Sequence, residues 1–124
     1  MPFRGERDIE RALAAVTAIN VWQIGAYSLP PLYVSGVRYR REQCLAPGLA
    51  GRETCERFLT ALQTYRERWG DCDDLGPWRA AELQRAGELA RAIVRPSPVG
   101  FHVVVRREDG RIEDPSAILG MPTG

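Results

Sequence analysis

Trp69-Gly70-Asp71-Cys72-Asp73-Asp74-Leu75 is the stretch on which the reading of this chain turns, because it sets a cysteine where a turn rich in hydrogen-bonding side chains feeds a helical pattern reaching Arg85 or Ala86. The first N–H groups of a helix lack intrahelical partners and carry the positive end of its macrodipole, so a thiolate placed there is favoured over the thiol. A nucleophilic cysteine also requires a base. The chain has one histidine, His102, at the head of the apolar run Phe101-His102-Val103-Val104-Val105, and downstream Ile112-Glu113-Asp114-Pro115-Ser116 ends a second strand-like piece in carboxylates. Cysteine on a helix, then histidine and acid on successive strands, is an ordered set of nucleophile, base and orienting group. Cys72 is read as the nucleophile, His102 as the base that takes its proton and returns it to the leaving amine, and Asp114 as the group that fixes the imidazole tautomer.

Gly70-Asp71-Cys72-Asp73-Asp74, then Trp78 to Ala86, Gly87, Ala90 to Val94, His102-Val103-Val104-Val105 and Glu113-Asp114-Pro115 follow one another in the chain. That succession resembles the transglutaminase-like superfamily of papain-like cysteine enzymes, whose pattern runs Gly-x-Cys-x-Asp, helix, Gly, strand, His strand, Asp strand. Small stand-alone members in phage and prophage clusters of high-GC bacteria are similar also at Pro31-Leu32-Tyr33 and Ser35-Gly36-Val37-Arg38-Tyr39. The resemblance covers most of the chain from Pro30 onward and is strongest from Gly70 to Ser116. It implies a papain-like core, cysteine-dependent acyl transfer, and a second oxyanion donor from a side chain upstream of Cys72, for which Gln63, Tyr65 and Trp69 are candidates beside the Cys72 N–H itself.

A chain of 124 residues has the size of one domain with a real core, residues 1–124, made of an N-terminal helix within 1–29 and a Cys-His-Asp region over 70–116. Hydrophobic content of 44% and charged content of 27% are ordinary for a globular chain, and a net charge of +1 gives no general pull toward nucleic acid or anionic membrane. All 17 basic residues are arginine, which reads as GC-rich coding bias, and a protein that cross-linked lysines has none of its own to offer. No charged-then-apolar leader and no membrane-length apolar run is present, so a cytoplasmic location, or one inside a particle assembled there, is expected. Three cysteines without a Cys-x-x-Cys pair argue against a disulfide scaffold and a zinc knuckle, and Cys44 and Cys55 are read as free and structural, with a fortuitous pair as the alternative.

From Glu6, Ile9, Leu13, Val16, Ile19 or Asn20, Gln23, Ile24 and Tyr27 recur at helical spacing, with Arg7, Glu10, Arg11 and Thr17 on the other side; Leu29-Pro30-Pro31 ends this helix. Leu32-Tyr33-Val34 and Val37-Arg38-Tyr39-Arg40 read as short extended pieces, either of which can line a cleft, and Gln43 to Gly51 as a surface loop. A second helix is expected from Arg52 or Thr54 to Arg68, burying Phe58, Leu59, Leu62 and Tyr65 and stopped by Gly70. For the third helix, an N-cap at Asp73 leaves Pro77 where no intrahelical N–H is required; a start at Pro77 instead leaves Cys72 in a loop. The first is preferred, with Gly87 as C-terminal cap. Ala90 to Arg95 reads as a strand, Pro96 to Gly100 as a loop, and Phe101–Arg107 with Arg111–Asp114 as a hairpin.

The hairpin register decides the triad. A two-residue turn at Asp109-Gly110 sets Val105 opposite Asp114 and turns the acid away from His102, leaving Glu113 as the better orienting group. A three-residue loop with Gly110 left-handed sets Val104 opposite Asp114 and brings the acid diagonally onto the His102 face. Asp71, Asp73 and Asp74 oppose a thiolate by like charge, so an ion pair with His102 has to outweigh them. As a calcium loop those three lack the glycine and distal glutamate, and a solvated capping role is expected; Cys44, Cys55, Cys72 and His102 lack paired zinc spacing. Trp69 and Trp78 read as packing residues.

The expected fold is therefore α+β, with helices on one face of a small antiparallel sheet of three or more strands and Cys72 facing the His102 strand across a cleft. The expected chemistry is acyl transfer on a peptide or protein amide, with water or an amine as acceptor and neither cofactor nor metal. The competing reading is a non-catalytic transglutaminase-like module that assembles with proteins of a phage-like particle.

Overall fold

The computed structural model of the chain describes residues 6–41, 58–97 and 100–121. In order these form α1 (Glu6–Ala26), a 3-10 turn (Leu32–Val34), β1 (Arg38–Tyr39), α2 (Ala61–Glu67), β2 (Trp69–Gly70), α3 (Cys72–Arg85), β3 (Arg91–Ser97), β4 (Gly100–Arg106), β5 (Ile112–Glu113) and α4 (Pro115–Ile118). Strands β3, β4 and β5 make an antiparallel sheet in that order, and β1 and β2 pair in parallel as a separate ribbon. Helices and strands are mixed, as in the α+β class.

Helix α3 carries the core. Val94 pairs with Val103 and Ala92 with Val105, so these four side chains share one sheet face. On it, Ile9 and Leu13 of α1 meet Cys72, Ala92, Val94 and Val103, while Ala80 and Leu83 of α3 meet Ala90 and Val105. The opposite side of α3 sets Leu75 and Trp78 against Leu32, Val37, Ala61 and Leu119. Gly76 permits the approach to β4: a Cβ there would stand 2.7 Å from Val103 Cγ1. The helix closes on a Schellman turn, with the Gly87 N–H donating to Gln84 O, the Glu88 N–H to Leu83 O, and Gly87 at φ 93°.

Several expectations are corrected. Thr17, expected to face outward, is buried and donates its hydroxyl to the Leu13 carbonyl at 2.7 Å, whereas Ile19 is 46% exposed. Leu32–Val34 is a 3-10 turn and not a strand, because the Leu32 N–H is held by Glu82 Oε2 at 2.6 Å and Ser35 closes back onto Leu32 O. Helix α2 starts only at Ala61, where Thr60 and Gln63 form a reciprocal capping box; residues 42–57, with the expected loop, the expected helix start, Cys44 and Cys55, lie outside the described residues. It is stopped by Arg68, left-handed at φ 69°, and not by Gly70, which joins β2. β3 runs on through Pro96 and Ser97, since an edge strand tolerates a residue without an N–H. Among the described residues no helix is long and apolar enough to cross a membrane.

Candidate active site

The N-cap of α3 is Asp71, two residues earlier than expected, which makes Cys72 the first helical residue and puts Pro77 inside the helix. Asp71 Oδ1 accepts the Cys72 N–H at 2.6 Å, Asp74 Oδ2 accepts the Asp71 N–H at 3.1 Å, and Asp74 Oδ1 accepts the Leu59 N–H at 2.9 Å. Asp73 and Asp74 are buried and not solvated, at 8% and 1% exposure. The cap carboxylates of Asp71 and Asp74 thus serve backbone donors, which accounts for acidic residues here without a cation.

The Cys72 sulfur faces the N–H of Val103. Register explains why that donor is available. Across the Val94–Val103 pair the Val94 N–H points outward to Glu10 Oε2 at 3.0 Å, so this is a non-hydrogen-bonded pair and the Val103 N–H points outward on the other edge. Cys72 is 8% exposed and lies among Ile9, Leu13, Ala92, Val94 and Val103. Burial, then the charges of Asp71 and Asp73, push its thiol far above the ordinary cysteine range, and the Val103 N–H only partly offsets them. Desolvation and like charge thus work against the thiolate that the helix terminus is expected to favour.

The hairpin takes the three-residue loop. Gly110 has φ 92°, its N–H reaches Arg107 O at 2.9 Å, and the Arg107 N–H reaches Arg111 O at 2.7 Å. Arg106 pairs with Ile112 and Val105 with Glu113, which carries Val104 opposite Asp114 and puts Asp114 diagonal to His102 on one face. His102 Nε2 and Asp114 Oδ2 are 2.8 Å apart, with both side chains part-buried. An ionised carboxylate only accepts, so the Nε2–H donates and Nδ1 keeps the lone pair of a base. Asp114 Oδ1 also accepts the Ala117 N–H at 3.3 Å, capping α4, so one oxygen holds the imidazole and the other the helix start.

Glu113 is not the orienting group. Its carboxylate is held by the Tyr33 hydroxyl, by Arg79 Nε at 2.6 Å and by an Arg107 NH group at 2.9 Å. Burial works to raise its pKa, but the bonds from Arg79 and Tyr33 win and keep it lowered. Arg79 sits on α3 below Cys72, so one helix carries the sulfur and grips the residue next to Asp114.

β5 pairs with β4 only at Val105 and Arg106, and Asp114 then turns away to cap α4, which leaves the β4 edge at Val103 open to Cys72. His102 leaves β4 on the face opposite to the Val103 side chain, with the sulfur at the strand edge between them. No hydrogen bond among the described residues joins Cys72 to His102. Of the expected oxyanion donors, the Cys72 N–H is bonded to Asp71 and Gln63 is held in its capping box, while the rings of Tyr65 and Trp69 pack against Trp78 and Arg68 and against Arg40. Trp78 is fully buried as a packing residue.

One neighbour was not singled out from the sequence. Tyr39 stands opposite Gly70 in the parallel pair, its N–H donates to Leu119 O at 3.0 Å, and its phenol is pushed up to about 12 by burial, then by the charges of Asp71 and Cys72. Its advance signals were a place in the extended piece Val37-Arg38-Tyr39-Arg40 and in the family-like stretch ending at Tyr39, neither of which points to Gly70, since a non-local parallel pairing leaves no periodicity to read. No group of three or more His, Cys, Asp or Glu among the described residues is arranged to hold a metal ion. Compared with protein-family models, curated proteins and solved structures, the chain finds no match.

Proposed function

We propose that this chain is a cysteine-dependent acyl-transfer enzyme acting on amide bonds, with a transglutaminase-like, papain-like arrangement of Cys72, His102 and Asp114. The observation that carries the reading is the 2.8 Å His102–Asp114 bond on a strand whose very next N–H faces the Cys72 sulfur. Burial and the neighbouring carboxylates disfavour a standing thiolate, so in this reading proton transfer accompanies attack. The Cys72 sulfur bonds to the carbonyl carbon, the carbonyl π pair moves to oxygen, and the thiol proton passes to His102 Nδ1 while Asp114 holds Nε2. Collapse expels the amine with that proton and leaves a thioester. Water or a second amine then attacks the thioester, His102 taking the acceptor's proton and returning it to sulfur. The substrate is a peptide or protein amide.

The test is acylation of Cys72 by an activated ester, followed by intact-protein mass spectrometry. A native adduct at Cys72, lost in His102→Ala, is the expected result. Modification only after denaturation, or equal modification of His102→Ala, defeats the reading.

A second reading is favoured by a separate observation. Cys72 is 8% exposed in an apolar cluster, and open grooves of about 390 and 690 Å³ lie at the far end of α3, around Glu88 and Arg107. That is what a non-catalytic assembly module of a phage-like particle would retain, its Cys72, His102 and Asp114 kept for packing and capping. Failure of native acylation selects it.

A further inference from the structure

Attack by Cys72 on a carbonyl requires a donor for the oxygen that becomes negative, and the two backbone donors beside the sulfur are already bonded. The Cys72 N–H is bonded to Asp71 Oδ1 at 2.6 Å, and the Val103 N–H faces the sulfur itself. We propose that the Tyr39 hydroxyl is the oxyanion donor of this site, supplied from strand β1 to the carbonyl oxygen of the amide substrate. The inference rests on the acyl-transfer reading and adds a catalytic residue to it.

Backbone bonds on both sides of the site place Tyr39. It lies opposite Gly70 in the β1–β2 pair, and the next residue, Arg40, donates its N–H to Gly70 O at 2.9 Å, fixing β1 beside the segment that leads into Cys72. The Tyr39 N–H donates to Leu119 O at 3.0 Å, tying the same residue to the end of α4, the helix capped by Asp114. The Tyr39 backbone is therefore pinned between the segment leading into the nucleophile and the end of the helix that the orienting acid caps. Its ring rests half-buried on the cluster of Leu75, Trp78 and Leu119, which limits its rotamers. The hydroxyl makes no hydrogen bond among the described residues, so it is free to donate to a substrate oxygen. Burial first, and then Asp71, Cys72 and Asp114, against the partial relief of Arg41, keep its proton on through the neutral range.

In the acylation step the carbonyl π pair becomes a lone pair on oxygen that accepts the Tyr39 O–H bond. No proton leaves Tyr39, because the thiol proton has gone to His102 Nδ1. The hydrogen bond strengthens as charge develops, which lowers the barrier for acyl transfer and leaves reactions without an oxyanion untouched.

That difference supplies the test. In a full-length Cys44→Ser, Cys55→Ser background Cys72 is the only thiol. Its acylation by p-nitrophenyl acetate passes through an oxyanion; its alkylation by iodoacetamide, a displacement at saturated carbon, does not. Tyr39→Phe keeps the ring and its packing. The expected result is a fall in acylation rate of at least about 10-fold, approaching ~100-fold, with alkylation within about twofold of the parent. Acylation that falls by less than this, or acylation and alkylation falling together, overturns the assignment. His102→Ala run in parallel separates the two layers. Acylation lost in His102→Ala but kept in Tyr39→Phe removes only Tyr39, whereas acylation kept in His102→Ala removes the acyl-transfer reading itself.

Discussion

Asp71 does three things with one carboxylate. It caps α3, takes the Cys72 N–H, and opposes the thiolate by its charge. Asparagine caps a helix about as well as aspartate but is neutral, so Asp71→Asn isolates the charge. Alkylation follows the thiolate fraction, and lowering a raised thiol pKa increases that fraction at any pH below it. Alkylation of Cys72 by iodoacetamide at pH 8 is accordingly expected to accelerate several-fold, on the order of the ~1 unit a close like charge contributes, in Asp71→Asn made in the Cys44→Ser, Cys55→Ser background. An unchanged rate would show that burial alone holds the proton. The sign for stability is the reverse of the usual carboxylate case: a thiol pKa raised by folding contributes stability that is fully present below the unfolded value, about 8.5, and fades as pH climbs above it. At this scale the His102–Asp114 pair was legible, since both residues are marked by type and order and the hairpin brings them to 2.8 Å. The environment of Cys72 was not: Asp73 and Asp74 read as solvated in a one-dimensional string, and only packing against Leu59 and the core turns them inward.

Elements show where local signals suffice. Gly110 fixed the loop length, and with it the register that brings Asp114 to His102, because a left-handed residue after two helical ones permits few hairpins. Thr60-x-x-Gln63 is an equally local capping signal, and it sets the start of α2 at Ala61. The parallel β1–β2 pairing had no such signature, being a contact between short segments far apart in the chain. Gly76 is a poor helix former inside α3, and its reason is the facing strand. Gly76→Ala should destabilise the protein by about 1–3 kcal/mol, because a Cβ 2.7 Å from Val103 Cγ1 forces α3 off β4 by more than the ~1 kcal/mol that alanine gains as a helix former. Urea unfolding measures it. A stabilised variant would mean that α3 and β4 are not in the close contact that brings Cys72 to the β4 edge.

In the whole molecule α3 is the common reference. Its first residue is the sulfur, its apolar faces hold α1 and the sheet on one side and α2 and α4 on the other, and Arg79 grips Glu113 beside Asp114. The α+β class followed from the alternation of helical and strand periods along the chain, while the depth at which Cys72 sits followed from α1 folding over the helix start, which no local pattern announces. The central claim is that Cys72 and His102 act on one another, although at rest no hydrogen bond among the described residues links them. A crystal structure of the protein trapped as a covalent acyl adduct on Cys72 tests this most directly. The account predicts His102 Nδ1 turned toward the Cys72 sulfur and leaving-group position, within about 4 Å, with Nε2 still on Asp114. An adduct with the imidazole directed away from the sulfur, or with the His102–Asp114 bond broken, would contradict it.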